Sequence, residues 1–129
     1  MKSKDSKNPE DWFRKANGDL AFAKAGFKES GVPSVACFLS QQVAEKYLKG
    51  FLLSRNKEFK KTHNLMELAK KCALLDKNFE KIVENLKILN KYYKLTRYPD
   101  GIFIDYTVED ATEALELAEK ITLFIKKLN

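Results

Sequence analysis

Sulfur and histidine are scarce in this chain. Its 129 residues include two cysteines and one histidine. Neither Cys37 nor Cys72 has a second Cys or His at the spacing that metal sites require, which argues against a zinc site or a disulfide framework. Because each cysteine lies within a helical pattern, we expect both to be small buried thiols in a reducing compartment.

Long apolar runs are also missing. No stretch approaches the roughly 18 consecutive apolar residues that a membrane-spanning helix needs. The charged start, residues 1–8, has no apolar run behind it that could serve as a signal core. We therefore expect a cytoplasmic protein with no membrane partner.

Familiar catalytic patterns are absent too. The sequence has no glycine-rich phosphate loop, no nucleophile elbow and no His-Glu-x-x-His motif. Any acid–base step near neutral pH has one obvious candidate, His63. A lone histidine at a helix start is more often structural, however, and both interpretations stay open.

The size and the charge of the chain set further bounds. A chain of this length typically forms one domain and hides roughly two-thirds of the surface of its unfolded state. Lys and Arg total 24 against 18 for Asp and Glu, a net charge of +6. This excess favours polyanionic partners, although a solvated Lys/Glu-rich surface explains it equally well.

Helical periodicity covers most of the chain after a polar tail of residues 1–8. Residues 9–129 therefore read as a single all-α domain, an antiparallel, up-and-down bundle of about five helices. The predicted helices span residues 9–29, 33–53, 65–75, 79–95 and 108–128. Between the last two, Ile102-Phe103-Ile104 reads as packed loop, because no second strand is predicted to pair with it.

Three local features refine these helices. Asn64 with Glu67, and Thr107 with Asp110, each have the spacing of a capping box. Tyr93 falls on the apolar stripe of the fourth helix, so we expect it in the core.

The second helix is the central element of the prediction. Its apolar residues occupy two sides, which is typical of a helix enclosed by neighbours. Gln41 and Glu45 share a sector with apolar residues, and a buried polar group without a partner costs about 2–7 kcal/mol. Arg97, just past the fourth helix, is the candidate partner for Glu45, either as a structural ion pair or as part of a site.

The segment Arg55 to Lys61 is a basic connector with Phe59 in its middle. It could contact phosphates or simply be a solvated loop. Gln41 and Glu45 likewise could bind a ligand or satisfy each other.

Four groups of residues then resemble a known family: Trp12, Ala16 and Asp19-Leu20; Gln41 to Lys49; Thr62-His63-Asn64-Leu65; and Tyr93 to Pro99. In their order and separation they are similar to the HEPN domain family. The resemblance implies a helical bundle that dimerises and is often encoded beside a small nucleotidyltransferase, as in toxin–antitoxin pairs. It implies two recurring roles, a nucleotide-binding partner of that transferase and a metal-independent ribonuclease toxin acting on RNA.

Carried onto this sequence, the resemblance implies a nucleotide- or phosphate-binding set with no metal and no cofactor: Gln41, Glu45, Lys49, His63, Arg97 and Tyr98. Arg97 and His63 are also the candidates for a catalytic role. The family's ribonucleases place a histidine four to six residues after the arginine, and no histidine follows Arg97.

The leading expectation is therefore a dimeric, nucleotide-binding partner subunit that is non-catalytic or only weakly catalytic. A ribonuclease and a purely structural helix-assembly module are the alternatives.

Overall fold

The computed structural model describes residues 6–93 and 106–129. Within these ranges the chain forms five α-helices and one 3₁₀ helix, and no strand. They are α1 (Pro9–Ser30), α2 (Pro33–Ser54), α3 (Leu65–Leu75), the 3₁₀ helix (Lys77–Ile82), α4 (Val83–Asn90) and α5 (Val108–Leu128). The predicted all-α helical bundle is confirmed. The segment Ile102-Phe103-Ile104 lies outside the described residues.

The first two helices begin and end where their local signals predict. The Asn8 side chain accepts a hydrogen bond from the backbone N–H of Glu10 at 3.0 Å, and Pro9 occupies the first helical position. Gly31 ends α1 in the left-handed region (φ 69°), where its N–H donates to the Phe27 carbonyl at 2.8 Å. Only two residues separate the helices, so α2 packs directly along α1.

Helix α2 is the centre of the bundle and packs against each of the other four α-helices. More than half of its 22 residues are buried, and they come from more than one side of the helix. Val43 and Phe51 on one side and Leu48 on another are all fully enclosed. This confirms the prediction of a helix surrounded by neighbours.

At Gly50 a side chain of α1 lies directly against the backbone of α2. A Cβ built at this position would lie 2.5 Å from Cε1 of Phe13, whose ring stacks on Tyr47 with centroids 5.1 Å apart. Glycine is thus favoured here, because the Phe13 ring of α1 lies directly against the α2 backbone and would have to shift to admit a Cβ.

The predicted fourth helix, residues 79–95, is wrong in its bounds. Residues 77–82 form a 3₁₀ helix, which the Asp76 side chain starts by accepting from the Asn78 N–H at 2.9 Å. Phe79 and Ile82 are both buried at a spacing of three, the period of a 3₁₀ helix. The α-helix proper then runs only from Val83 to Asn90.

The early end of α4 also changes which tyrosine is in the core. After Asn90 the backbone leaves the helical path, so the inward face shifts by one residue. Tyr92 is buried and meets Tyr106 edge-on with ring centroids 4.8 Å apart. Tyr93, predicted as core, is 39% exposed.

One of the two predicted capping boxes forms. Thr107 accepts from the Asp110 N–H, and the Asp110 carboxylate accepts from the Thr107 N–H, both at 3.0 Å. This backbone hydrogen bond, with help from the Thr107 hydroxyl, holds the pKa of Asp110 below its usual range.

At the start of α3 the predicted capping box is wrong. Asn64 does cap the helix, accepting from the Met66 N–H at 2.9 Å. The Glu67 carboxylate instead accepts from the Thr62 hydroxyl at 2.7 Å, and the same hydroxyl accepts the Asn64 N–H at 3.0 Å. A threonine outside the helix thus occupies the place of the box's glutamate.

The two cysteines are buried free thiols, as predicted. Burial raises the pKa of Cys37 to about 11 and that of Cys72 to about 12. Such thiols remain protonated near neutral pH and are poor nucleophiles.

None of the described helices combines the length and the apolar character that crossing a lipid bilayer requires.

Two glycine substitutions test the packing of α1 on α2. Gly50→Ala is expected to lower the free energy of unfolding by about 1 kcal/mol, since overpacking against Phe13 exceeds the gain in helix propensity. Gly18→Ala, also mid-helix but with open space around its Cβ, is expected to raise it by about 0.5–1 kcal/mol. Urea denaturation of both variants measures the difference, and equal shifts would contradict the close contact.

Candidate functional site

A buried carboxylate lies at the heart of the candidate site. The Glu45 side chain is 5% exposed, and each of its oxygens has a charged or polar partner. Oε2 accepts from the Lys49 ammonium at 2.9 Å, and Oε1 lies 3.0 Å from Nδ1 of His63. These bonds compensate for the desolvation of the carboxylate.

Gln41 lies one turn before Glu45 on α2 and binds the backbone of His63. Its amide nitrogen donates to the His63 carbonyl at 2.9 Å and lies 3.4 Å from Glu45 Oε1. Its amide oxygen accepts from Gln42 at 2.8 Å. Both the side chain and the backbone of His63 are therefore fastened to α2.

Lys49 is the third buried polar residue in this row on α2, and its ammonium lies close to two aromatic rings. Its ammonium is 5.6 Å from the centroid of the Trp12 ring and 5.3 Å from that of Phe59. The two rings meet edge to face, and the Trp12 indole N–H donates to the Ser6 carbonyl at 2.9 Å. Cation–π attraction and the Glu45 ion pair together hold this ammonium away from water.

His63 is the part of the site that solvent reaches. Its side chain is 62% exposed although Nδ1 faces the buried carboxylate. Because a carboxylate only accepts, we assign the proton of the neutral ring to Nδ1. Nε2 is then left to interact with a ligand.

A groove of about 380 Å³ opens beside this imidazole. It is lined by Lys61, Thr62, His63, Asn64, Glu67, Asn90 and Tyr93. The rings of His63 and Tyr93 are nearly parallel, with an interplanar angle of 19° and centroids 6.4 Å apart. The groove thus offers a cation, an oriented imidazole and an aromatic face.

Asn90, the last residue of α4, fixes the rim of the groove. Its side-chain oxygen accepts from the Leu65 N–H at 2.7 Å, and its amide nitrogen donates to Asn64 Oδ1 at 3.2 Å. The end of α4 and the start of α3 are therefore locked together at the groove.

The structure brings four of the six predicted site residues together. Gln41, Glu45 and Lys49 follow one another at a spacing of four on α2, and His63 docks on them. Arg97 and Tyr98 lie outside the described residues, and so does the predicted pairing of Arg97 with Glu45.

Several residues of the site were not predicted. Asn90 and Tyr93 join the groove across 25 or more residues of chain, and no local pattern marks such a contact. Phe59 lies over Lys49, a contact that its place in a basic connector does not predict. The only part of the site that the sequence marks by a regular pattern is the row Gln41, Glu45 and Lys49, which are spaced by four.

Metal binding has no support in residues 6–93 and 106–129. These residues bring no three His, Cys, Asp or Glu side chains into an arrangement that could hold a metal ion.

Comparison with known proteins gives consistent matches. A family model for the HEPN domain matches residues 9–128. The crystal structure of TT1696 from Thermus thermophilus is 36% identical, with a TM-score of 0.74 over 92% of this chain and 96% of that chain. The crystal structure of ST0689, an archaeal HEPN homologue, is 33% identical, with a TM-score of 0.75 over 99% of this chain and 98% of that chain. No curated protein matches the chain.

Removing the buried carboxylate tests its role in the fold. Glu45→Ala is expected to lower the free energy of unfolding by about 3–5 kcal/mol, because it leaves the buried Lys49 ammonium unpaired. Adding Lys49→Met should recover part of this loss by removing the orphaned charge. A double-mutant cycle by urea denaturation measures the coupling.

The exposed pair Glu84–Lys87, with nitrogen and oxygen 3.5 Å apart, provides the matched control. Glu84→Ala is expected to change stability by less than about 0.5 kcal/mol. Equal effects of Glu45→Ala and Glu84→Ala would contradict the buried network.

Proposed function

This chain belongs to the HEPN domain family, and on that basis we propose that it is a nucleotide-binding subunit that forms a homodimer and acts with a small nucleotidyltransferase. Such a pair would have a toxin–antitoxin-like organisation. The observation that carries the nucleotide-binding part is the His63 imidazole, which Glu45 orients toward an open groove.

The groove combines two groups that suit a phosphate, Lys61 and His63, with one carboxylate, Glu67, which accepts a hydrogen bond from Thr62. Lys61 is exposed on its wall and forms no ion pair with any described residue, so its ammonium is available to an anion. In the protonated ring Nε2 also carries a hydrogen and can donate it to a phosphate oxygen, while the Glu45 carboxylate beside Nδ1 balances the charge of that ring. Lys61 and His63, two residues apart in the chain, thus supply two donors that favour an anionic ligand.

Side chains, rather than the start of α3, would bind that anion. The Leu65 N–H already donates to Asn90, and the Met66 N–H donates to Asn64. Because these two N–H groups are already hydrogen-bonded within the protein, they are not free to bind a ligand at the start of α3. The anion site is therefore assigned to His63 and Lys61.

The aromatic face favours a nucleotide over a simple phosphate. Tyr93 borders the groove with its ring nearly parallel to His63. Stacking of a nucleobase on such a ring contributes about 1–3 kcal/mol. The groove volume of about 380 Å³ lies within the range of about 300–1,000 Å³ that small-molecule sites occupy.

The homodimer and the transferase rest on family membership. Domains of this family are often encoded beside a small nucleotidyltransferase, and a subunit that binds a nucleotide suits an enzyme that uses one. Arg97 and Tyr98 are retained as further candidate phosphate ligands of this site.

A histidine substitution tests nucleotide binding. His63→Ala is expected to weaken binding of ATP about 10- to 100-fold, the effect of losing one charge-assisted hydrogen bond of about 1.5–3 kcal/mol. Isothermal titration calorimetry measures it. Lys120→Ala, on the exposed side of α5, is the control and should leave the affinity unchanged.

Two results would count against this assignment. One is the absence of binding of any nucleoside triphosphate to the wild-type protein. The other is cleavage of RNA in EDTA that His63→Ala abolishes, which would make His63 catalytic and the protein a ribonuclease.

Co-expression tests the partnership. A nucleotidyltransferase encoded next to this chain is expected to co-purify with it through size-exclusion chromatography, and the chain alone should sediment as a dimer. Separate elution of the two proteins would contradict the partnership. A monomeric chain in analytical ultracentrifugation would contradict the homodimer.

A further inference from the structure

The outward face of α3 carries an unusual leucine. Leu74 is 83% exposed, more than any other large apolar residue among those the structure describes. Isolated surface leucines are common and need no explanation. Leu74 differs because it forms a ridge between two grooves.

The grooves share Leu74 and Lys71 as walls. One, of about 320 Å³, is closed on its far side by Leu52 and Leu75, at the end of α2 and the end of α3. The other, of about 240 Å³, reaches down to Leu68 and the connector. Each can receive one apolar side chain.

Four exposed lysines surround this Leu74 face: Lys57, Lys60, Lys70 and Lys71. None of them forms an ion pair with a residue in the described parts of the chain. Two carboxylates lie among these lysines: Glu58, which pairs with Lys7 at 3.3 Å, and Glu67, which accepts from the neutral Thr62 hydroxyl and keeps its charge. The four lysines outnumber them, so the face is apolar in the middle and carries an excess of positive charge around its edge.

We propose that the Leu74 face docks an acidic amphipathic helix of a partner protein. Two apolar side chains one turn apart on that helix would enter the two grooves on either side of Leu74. Carboxylates flanking them would pair with the lysines at the edge. The chemistry of the surface thus specifies both the apolar anchors and the charge of its partner.

A nucleic acid fits this face less well than a protein does. The lysines could bind phosphates, but none of the described residues lining the two grooves is aromatic, so bases would have no ring to stack on. A sugar–phosphate backbone also has no apolar side chain to cover Leu74. The exposed leucine and its grooves favour a helix.

The Leu74 face shares Thr62 and Glu67 with the His63 groove, but its central residues are different. Leu74, Leu75 and Lys71 do not line the His63 groove. Docking of a helix on the Leu74 face is a separate function from nucleotide binding in the His63 groove and does not require it. His63→Ala should leave it intact.

Labelled peptides test the proposal. The probes are helical peptides of about 15 residues with two leucines three or four positions apart and flanking glutamates. Fluorescence anisotropy with the full chain is expected to show saturable binding. Leu74→Ser, and separately the pair Lys70→Glu and Lys71→Glu, should weaken it at least about tenfold.

Matched controls exist on α5. Leu123→Ser removes another exposed leucine, 53% exposed, and the pair Lys126→Glu and Lys127→Glu makes the same charge change elsewhere. Neither should alter peptide affinity. All the substituted residues are exposed, and circular dichroism of each variant verifies that it is folded.

Five results would overturn the proposal. Three concern the peptides: no binding by any of them, binding that Leu74→Ser leaves unchanged, and an equal loss of binding in the α5 controls. The other two assign the face to another occupant. Oligouridine binding that is lost with Lys70→Glu and Lys71→Glu but kept in Leu74→Ser would make it a polyanion surface. Self-association lost in Leu74→Ser would make it a contact between two copies of this chain.

Discussion

A carboxylate on the innermost helix of a bundle has to be paired, and the arrangement around Glu45 follows from that requirement. Its charge is balanced by Lys49, one turn further along α2. The Lys49 ammonium is covered in turn by Trp12 from α1 and Phe59 from the connector. One buried carboxylate thus brings together α1, α2 and the segment before α3. It also fixes the position of His63.

The sequence predicts the parts of this structure that depend on local rules. The bounds of α1, α2 and α5 follow from caps, breakers and apolar spacing within a few residues. The 3₁₀ helix was missed because a spacing of three, as between Phe79 and Ile82, suits an α-helix as well. In the site, a spacing of four puts Gln41, Glu45 and Lys49 in one row. The contact of His63 with Glu45 spans a connector without periodicity, and no pattern predicts it.

The site divides into a fixed part and an accessible part. Glu45 and Lys49 are buried on the most enclosed helix, where their positions are set by packing on all sides. His63 and Lys61 belong to the segment between α2 and α3, which has little regular structure of its own and is held by side-chain contacts to α2. Accessible polar side chains on a loop that a rigid helix positions are a common arrangement in proteins. Here the same residues that stabilise the loop also orient its histidine.

Trp12 is the only tryptophan in the chain. Its indole faces the ammonium of Lys49, which contacts Glu45, which contacts His63. Indole emission is sensitive to a neighbouring charge, so the protein contains a built-in optical reporter two side chains away from its solvent-facing imidazole. Events at the groove can therefore be followed by intrinsic fluorescence in the unlabelled, unmutated chain, with no second tryptophan to obscure the signal.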